Sequence, residues 1–281
     1  MAISLQKTST ATRQRKLEGA EKAGTLIVPV SKADSYLKMV VYGRNGVGKT
    51  TFAGSSNLKT LLVDCNEKGW IALRNRPNVE VYPLEIWDQL DWVYWFLRAK
   101  HHEYEVVAID TITMLAAIGM KWILSDEASR DFSKDPQMPD KRHWGKLGEV
   151  VKTAIINFRN LPMHVLFLAQ EKVSTVEDDE GGTLSQVHPE LSPAPRSVLL
   201  SSVSITGRLF TREVEVKGKD DSVKKMMERR MLLGPHAKFE SKNRFDELRY
   251  IERNPTLQKF LDRIAGGSNA SSSENPSEDN G

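Results

Sequence analysis

The sequence predicts an α/β fold: a mostly parallel sheet with helices on both faces, plus a C-terminal β-hairpin region. Three observations predict it. Short apolar runs alternate with stretches of helical periodicity from residue 37 to about residue 170. The segment Gly43-Arg44-Asn45-Gly46-Val47-Gly48-Lys49-Thr50 sits between one such run and a potential helix start. Two later strand-like runs flank the charged turn Lys217-Gly218-Lys219-Asp220-Asp221. Strand–helix alternation means a parallel sheet covered on both faces, because parallel neighbours need a crossover between them.

Taken in order, residues 1–24 are polar and basic and are expected to form a flexible N-terminal arm. Residues 25–30 are apolar with Pro29 among them, which suits an edge strand or a segment docked on a neighbour. Residues 37–42 read as a buried strand, and 60–63, 79–82, 106–109 and 165–169 are the further short apolar runs, read as strands of the same sheet. Helical spacing joins Ile86, Leu90, Val93, Tyr94 and Leu97 across residues 86–100, and Leu147, Val150, Val151, Ala154, Ile155 and Phe158 across residues 144–160. Two stretches, 125–143 and 171–197, are charged and proline-containing and are expected to be long loops. Residues 203–216 and 229–233 form the hairpin. Residues 266–281, rich in Gly, Ser, Asn and acids, predict a disordered acidic tail. The expected organisation is therefore an arm (1–24), one domain (25–265) and a tail (266–281), without internal repeats.

The bulk composition narrows little. A formal net charge of +3 over 281 residues neither demands nor opposes a nucleic-acid partner. The single cysteine, Cys65, rules out an internal disulfide, fits a reducing compartment, and reads as a buried, inert thiol. No apolar stretch reaches transmembrane length, the most apolar one (112–124) being broken by Lys121, and the basic N-terminus lacks an apolar signal-peptide core. A soluble, intracellular protein with no membrane partner is expected.

The chemistry starts at residues 43–50, which match the phosphate-loop pattern G-x-x-x-x-G-K-[ST]. Gly43 and Gly48 let the backbone turn its N–H groups on a phosphate, with Arg44, Asn45, Gly46 and Val47 between them. Lys49 reaches the β/γ oxygens, the Thr50 hydroxyl ligates Mg²⁺, and Thr51 continues into a helix whose N-terminus favours anions. ATP and Mg²⁺ are the expected ligands. Hydrolysis needs more: a carboxylate near the metal and a group that orients water. Asp110 ends an apolar strand and is either a Mg²⁺-linked carboxylate or the cap of the following helix. Asp64 or Glu67, at the end of another strand, could serve as base. Gln170 ends a third strand and could sense the γ-phosphate, or be a plain strand-end amide.

In this order, with Ser241-Lys242-Asn243-Arg244-Phe245 late in the chain, these motifs resemble the RecA-type recombinase core. The resemblance is closest to compact phage-encoded RecA-like ATPases, the group that includes phage single-strand annealing proteins, and it spans residues 37–250. It implies Lys49 and Thr50 on phosphate and Mg²⁺, Asp110 as the second metal-linked ligand, Glu67 as base and Gln170 as sensor. Lys242 and Arg244 match the basic pair that such proteins insert into a neighbour's ATP site. Two departures stand out: Cys65 and Asn66 separate Asp64 from Glu67, and residues 177–180 are acidic where recombinases bind single strands. Other cations could serve instead. One set is Arg130, Lys134, Lys141, Arg142 and His143 beside Phe132 and Trp144; the other is Arg208, Arg212, Lys217, Lys219, Lys224, Lys225, Arg229 and Arg230 on the hairpin. The aromatic group Trp87, Trp92, Tyr94, Trp95 and Phe96 reads as core and interface packing. The implied function is ATP-dependent binding of single-stranded DNA in phage recombination, by annealing or strand exchange, in the host cytoplasm. Self-association into a ring or filament and a single-strand-binding protein as partner go with it. An ATPase that remodels a protein partner, like a helicase loader, is the alternative, and a nucleotide switch with negligible turnover the third.

Overall fold

The computed structural model describes residues 10–27, 36–131, 135, 137–177, 182–217 and 223–266. The chain divides into two units, Met1–Ser35 and Tyr36–Gly281. In the first, Thr10–Leu26 forms helix α1. The expected arm is thus helical from Thr10 on, and Thr25 and Leu26 close a helix instead of opening an edge strand. A run of Arg, Lys, Glu and Ala, all good helix formers without a proline, explains this.

The second unit holds the sheet. Its strands are β1 (Lys38–Gly43), β2 (Thr60–Asp64), β3 (Val79–Pro83), β4 (Val106–Asp110), β5 (His164–Glu177), β6 (Thr183–Pro189), β7 (Ile205–Lys217), β8 (Val223–Leu232), β9 (Lys242–Asn243) and β10 (Ile251–Arg253). The helices are α2 (Lys49–Ala53), α3 (Asp88–Arg98), α4 (Ile112–Arg130), α5 (Lys141–Arg159), α6 (Pro193–Ser202) and α7 (Leu257–Gly266). The strand order is β10-β8-β7-β1-β5-β4-β2-β3, with β6 paired to β5 and β9 to β7. From β7 to β3 every pairing along this path is parallel; the pairs involving β6, β8, β9 and β10 are antiparallel. The predicted fold class is the one observed.

Period-2 alternation puts the two faces of β1 in two cores. Val40 and Tyr42 join a cluster with Leu90, Ile112, Leu147 and Leu199 from α3, α4, α5 and α6. Met39 and Val41 join Phe52 of α2 and Leu257 and Phe260 of α7 on the other face. Parallel strands covered on both sides read as continuous apolar runs, which is why β1, β2 and β4 were legible.

Two stretches depart from expectation. Residues 171–177 and 183–189 are strands where a loop was expected: β5 runs on past the sheet and pairs antiparallel with β6, from Glu171↔Pro189 to Glu177↔Thr183, and α6 follows, while 178–181 lie outside the described residues. The extension is exposed toward its far end, at Lys172, Val173 and Thr175 and at Thr183–Ser185, so these strands lack the apolar run that marks a core strand. Helix α4 likewise extends to Arg130, shortening the loop expected over residues 125–143. On the hairpin, β8 begins at Val223, six residues before its predicted start at Arg229. The turn at 218–222 and the tail at 267–281 lie outside the described residues. Among the described residues, no helix is long and apolar enough to cross a membrane.

Candidate nucleotide-binding site

Strand β1 ends in the phosphate loop because its neighbours hold it from both sides: β5 pairs Gly43 with Gln170, and β7 pairs Tyr42 with Arg208. The left-handed backbone falls at Gly46 (φ 78°) and Gly48 (φ 97°), where a side chain would be strained. Gly43 is not among the positive-φ residues, against expectation; it is needed because a Cβ there would lie 2.2 Å from the Leu209 carbonyl oxygen of β7. Lys49 is buried, and its ammonium donates to the carbonyls of Gly43 (3.0 Å) and Arg44 (3.1 Å) and to Gln170 Oε1 (2.8 Å). Burial lowers its pKa, opposed by the charges of Glu67, Asp110 and Glu171.

Four strand ends converge there. Thr50 Oγ1 donates to Asp110 Oδ2 at 2.6 Å, and Asp110 is 1 % exposed. Burial pushes the Asp110 carboxyl up to about 6 against the hydrogen bond from Thr50, with Glu67 and Asp64 adding to the rise. The cap of α4 is Thr111, whose side chain accepts from Met114 N, so Asp110 is free of the capping duty the sequence left open. The backbone of Gly69, opening a 3₁₀ turn at Gly69–Leu73, packs so closely that a Cβ would come 2.7 Å from Thr50 Oγ1 and 3.1 Å from Asp110 Oδ2.

The two acids after β2 separate cleanly. Asp64 is buried, and its oxygens accept the backbone N–H of Glu67 (3.2 Å) and Lys68 (3.0 Å), closing the turn. Glu67 reaches the cavity, accepting from Thr111 Oγ1 (2.6 Å) and from Gln170 Nε2 (3.1 Å). Gln170 therefore bridges Lys49 and Glu67. Its own N–H donates to Thr113 Oγ1, and its carbonyl accepts from Glu190 N.

The cavity among these groups has a volume of about 640 Å³, and Asn45, Gly46, Gly48, Lys49, Thr50 and Thr51 line one side of it, opposite Glu67, Asp110 and Gln170. Gly69, Thr113 and Glu190 also line it. None of these three was singled out in the sequence; Gly69 alone carried a signal, a glycine just past a strand-end acid. Arg44 faces away, its Nε 2.9 Å from Glu171 Oε1, and Val47 lines a separate hollow. Lys242 and Arg244 do not line the cavity: Lys242 donates to the Leu200 carbonyl near the end of α6, and Arg244 is exposed.

The half-buried Thr50 with the buried Asp110 beside Lys49 suits Mg²⁺, which takes one or two protein oxygens and completes its shell with phosphate and water. No group of three or more His, Cys, Asp or Glu that could hold a metal occurs among the described residues. A phosphate loop between strand and helix, a buried acid at the end of β4 two strands away and a mostly parallel covered sheet together define a P-loop nucleoside triphosphatase core. The AAA domain family matches residues 35–245, and the chain belongs to it: this is an AAA-type P-loop ATPase domain. No curated protein matches the chain.

Of the cation sets, several members are held within the chain. Arg130 pairs with Asp126, Arg142 with Asp140, and His143 caps α5 with Asp140 while touching Glu127. Arg208 pairs with the buried Glu171 (3.1 Å) and lies over Phe239, and Arg230 pairs with Glu228 (2.6 Å). Phe132 and Lys134 lie outside the described residues. Trp87 is core, whereas Trp92, Trp95 and Phe96 are exposed. Cys65 is buried, and burial pushes its thiol up, in keeping with an inert group.

Proposed function

We propose that the chain is a RecA-type ATPase that binds ATP with Mg²⁺ and uses its hydrolysis to act on single-stranded DNA in phage recombination. The observation that carries the reading is Gln170: one side chain touches both Lys49 and Glu67, and its strand runs directly into the β5–β6 hairpin. Thr50 and Asp110 would hold the metal, which neutralises charge on the phosphate oxygens when bound. Lys49 and the loop N–H groups bind the phosphates. Glu67 takes the proton of the attacking water, held in place by Thr111 and Gln170. Asp64 is spoken for by two backbone donors, which favours Glu67 over it.

A phosphate arriving at Lys49 competes with Gln170 Oε1 for the same ammonium. Gln170 must then change partner, and the hairpin rooted on it feels the change. That supports nucleotide-gated binding of a polymer by the hairpin. Single-stranded DNA as the polymer, the phage setting and assembly into a ring or filament rest on the order of motifs. Lys242 and Arg244 in a neighbour's site rest there too. Steady-state ATP hydrolysis with and without single-stranded DNA, at low salt, tests the reading. Stimulation of tenfold or more is expected; a rate indifferent to DNA turns the assignment to an ATPase that remodels a protein partner.

A further inference from the structure

Strand β4 ends at Asp110, opposite Leu168 of β5, so two residues further on the backbone of Gln170 has no β4 neighbour to bond. The side chain of Thr113 takes that place. Its Oγ1 accepts the Gln170 N–H at 3.1 Å and donates to the carbonyl of Glu190 at 3.1 Å. The Glu190 N–H in turn donates to the Gln170 carbonyl at 2.8 Å. Three hydrogen bonds thus close a ring through α4, β5 and the residue that follows β6. Gln170 and Glu190 stand at the root of the β5–β6 hairpin, whose first pair is Glu171↔Pro189.

A hydroxyl both donates and accepts, so Thr113 alone can join an N–H at one hairpin strand to a carbonyl at the other. A helical Thr often turns its hydroxyl back on a carbonyl of its own helix. Thr113 sits in the first turn of α4 and turns its hydroxyl to other elements instead. The residues just before it serve the phosphate site: Asp110 accepts from Thr50, and Thr111 donates to Glu67. Thr113 itself is half-buried and lines the ATP cavity together with Glu190. The Gln170 side chain spans Lys49 and Glu67 from a backbone that Thr113 and Glu190 hold by both its N–H and its carbonyl. A side chain reaching two partners across a cavity tolerates little displacement of its own backbone.

We propose that Thr113 is a positioning residue: its hydroxyl latches the root of the β5–β6 hairpin to the first turn of α4, so that Gln170 meets phosphate at a fixed place and the hairpin responds to nucleotide. The proposal rests on the reading of Gln170 as the link between the ATP cavity and the hairpin. Thr113→Val keeps the shape and removes the hydroxyl; Thr113→Ser keeps the hydroxyl. In steady-state hydrolysis by the full chain, Thr113→Val is expected to lower kcat about tenfold or more, with KM for ATP within about twofold of wild type. Thr113→Ser should stay near wild type. Amide hydrogen exchange supplies a readout that a merely structural role would not move selectively. Mg²⁺ with a non-hydrolysable ATP analogue is expected to change exchange across residues 171–177 and 183–189 in wild type and Thr113→Ser, and not in Thr113→Val. Strands β1 and β4 should be protected alike in all three. Thr113→Ala carries the same expectations where Thr113→Val fails to fold. If either kcat or the hairpin's nucleotide response stays at the wild-type level in the variant without the hydroxyl, the proposal is overturned. A loss that Thr113→Ser does not restore, or faster exchange through β1 and β4, overturns it too by making Thr113 a residue of the fold alone. A wild-type hairpin indifferent to nucleotide sinks the Gln170 reading and the latch together, whereas a response kept in Thr113→Val sinks only the latch.

Discussion

Asp110 places a carboxylate at 1 % exposure with Thr50 as its side-chain donor, an arrangement that costs stability until a cation arrives. Burial pushes its folded pKa up to about 6, above the ordinary carboxylate range. The folded state therefore favours the protonated acid, and ionising it costs stability progressively as pH rises from about 4 through 6. Asp110→Asn keeps an acceptor for Thr50 and removes that cost. Metal-free thermal melts should show the variant more stable than wild type by about 1–3 kcal/mol at pH 7–8, with the difference vanishing near pH 4. Mg²⁺-dependent hydrolysis should be lost in the same variant. Glu67 and Asp64 invite a paired test. Glu67→Gln cannot accept a proton and should bind ATP normally while turnover falls about 100-fold or more. Asp64→Asn retains an acceptor for the turn and should keep most of its rate. If Asp64→Asn is dead and Glu67→Gln active, the base is Asp64.

At the scale of elements, α2 matters most. It has five residues, too few to be stable alone, so packing must hold the helix that follows the phosphate loop. Phe52 meets Phe260 of α7 edge-on at 5.4 Å, Leu257 N donates to Ser55 Oγ at 2.7 Å, and Asn57 N donates to Gln258 Oε1. Helix α7 is thus a brace behind the loop. Phe260→Ala leaves a cavity in that brace and should cost about 3–5 kcal/mol in urea unfolding. ATP affinity should fall as well in the folded variant, because α2 loses its support. Unchanged affinity would mean that α2 is held by the sheet alone. Gln170 owes its position to a second element: β5 seats it opposite Gly43 and then leaves the sheet as half of the hairpin.

For the whole molecule, the prediction concerns assembly. Lys242 and Arg244 do not line this chain's own phosphate cavity, and their proposed place is a neighbour's site. Replacing both by Ala should spare ATP binding and remove stimulation of hydrolysis by single-stranded DNA. Mixed with Lys49→Ala, the double variant should regain part of the activity that neither has alone, since an intact site can then meet intact cations across a mixed interface. An inert mixture, with wild-type turnover indifferent to DNA at low salt, ends the filament reading. If DNA binds, affinity should fall steeply with salt, as phosphate neutralisation releases counterions.

By itself the sequence determined what depends on local pattern: the parallel strands, the two amphipathic helices over 86–100 and 144–160, and the phosphate loop with Lys49 and Thr50. Each rests on short-range periodicity or a fixed spacing, and local sterics preserve both. Asp110, Glu67 and Gln170 were legible as strand-end polar residues, but only as candidates, because a strand end can point to a ligand or to a cap. Tertiary structure decided among them: Thr111 took the cap, Asp64 the turn, and the sheet order β1-β5-β4-β2 brought the remaining three to one cavity. It also decided what no local pattern encodes. The β5–β6 hairpin is stabilised by pairing between strands with little apolar signal, and Gly69 and Arg229 meet the loop from residues far along the chain. Such contacts arise from which strands neighbour one another, and strand order is a property of the whole sheet, not of any segment within it.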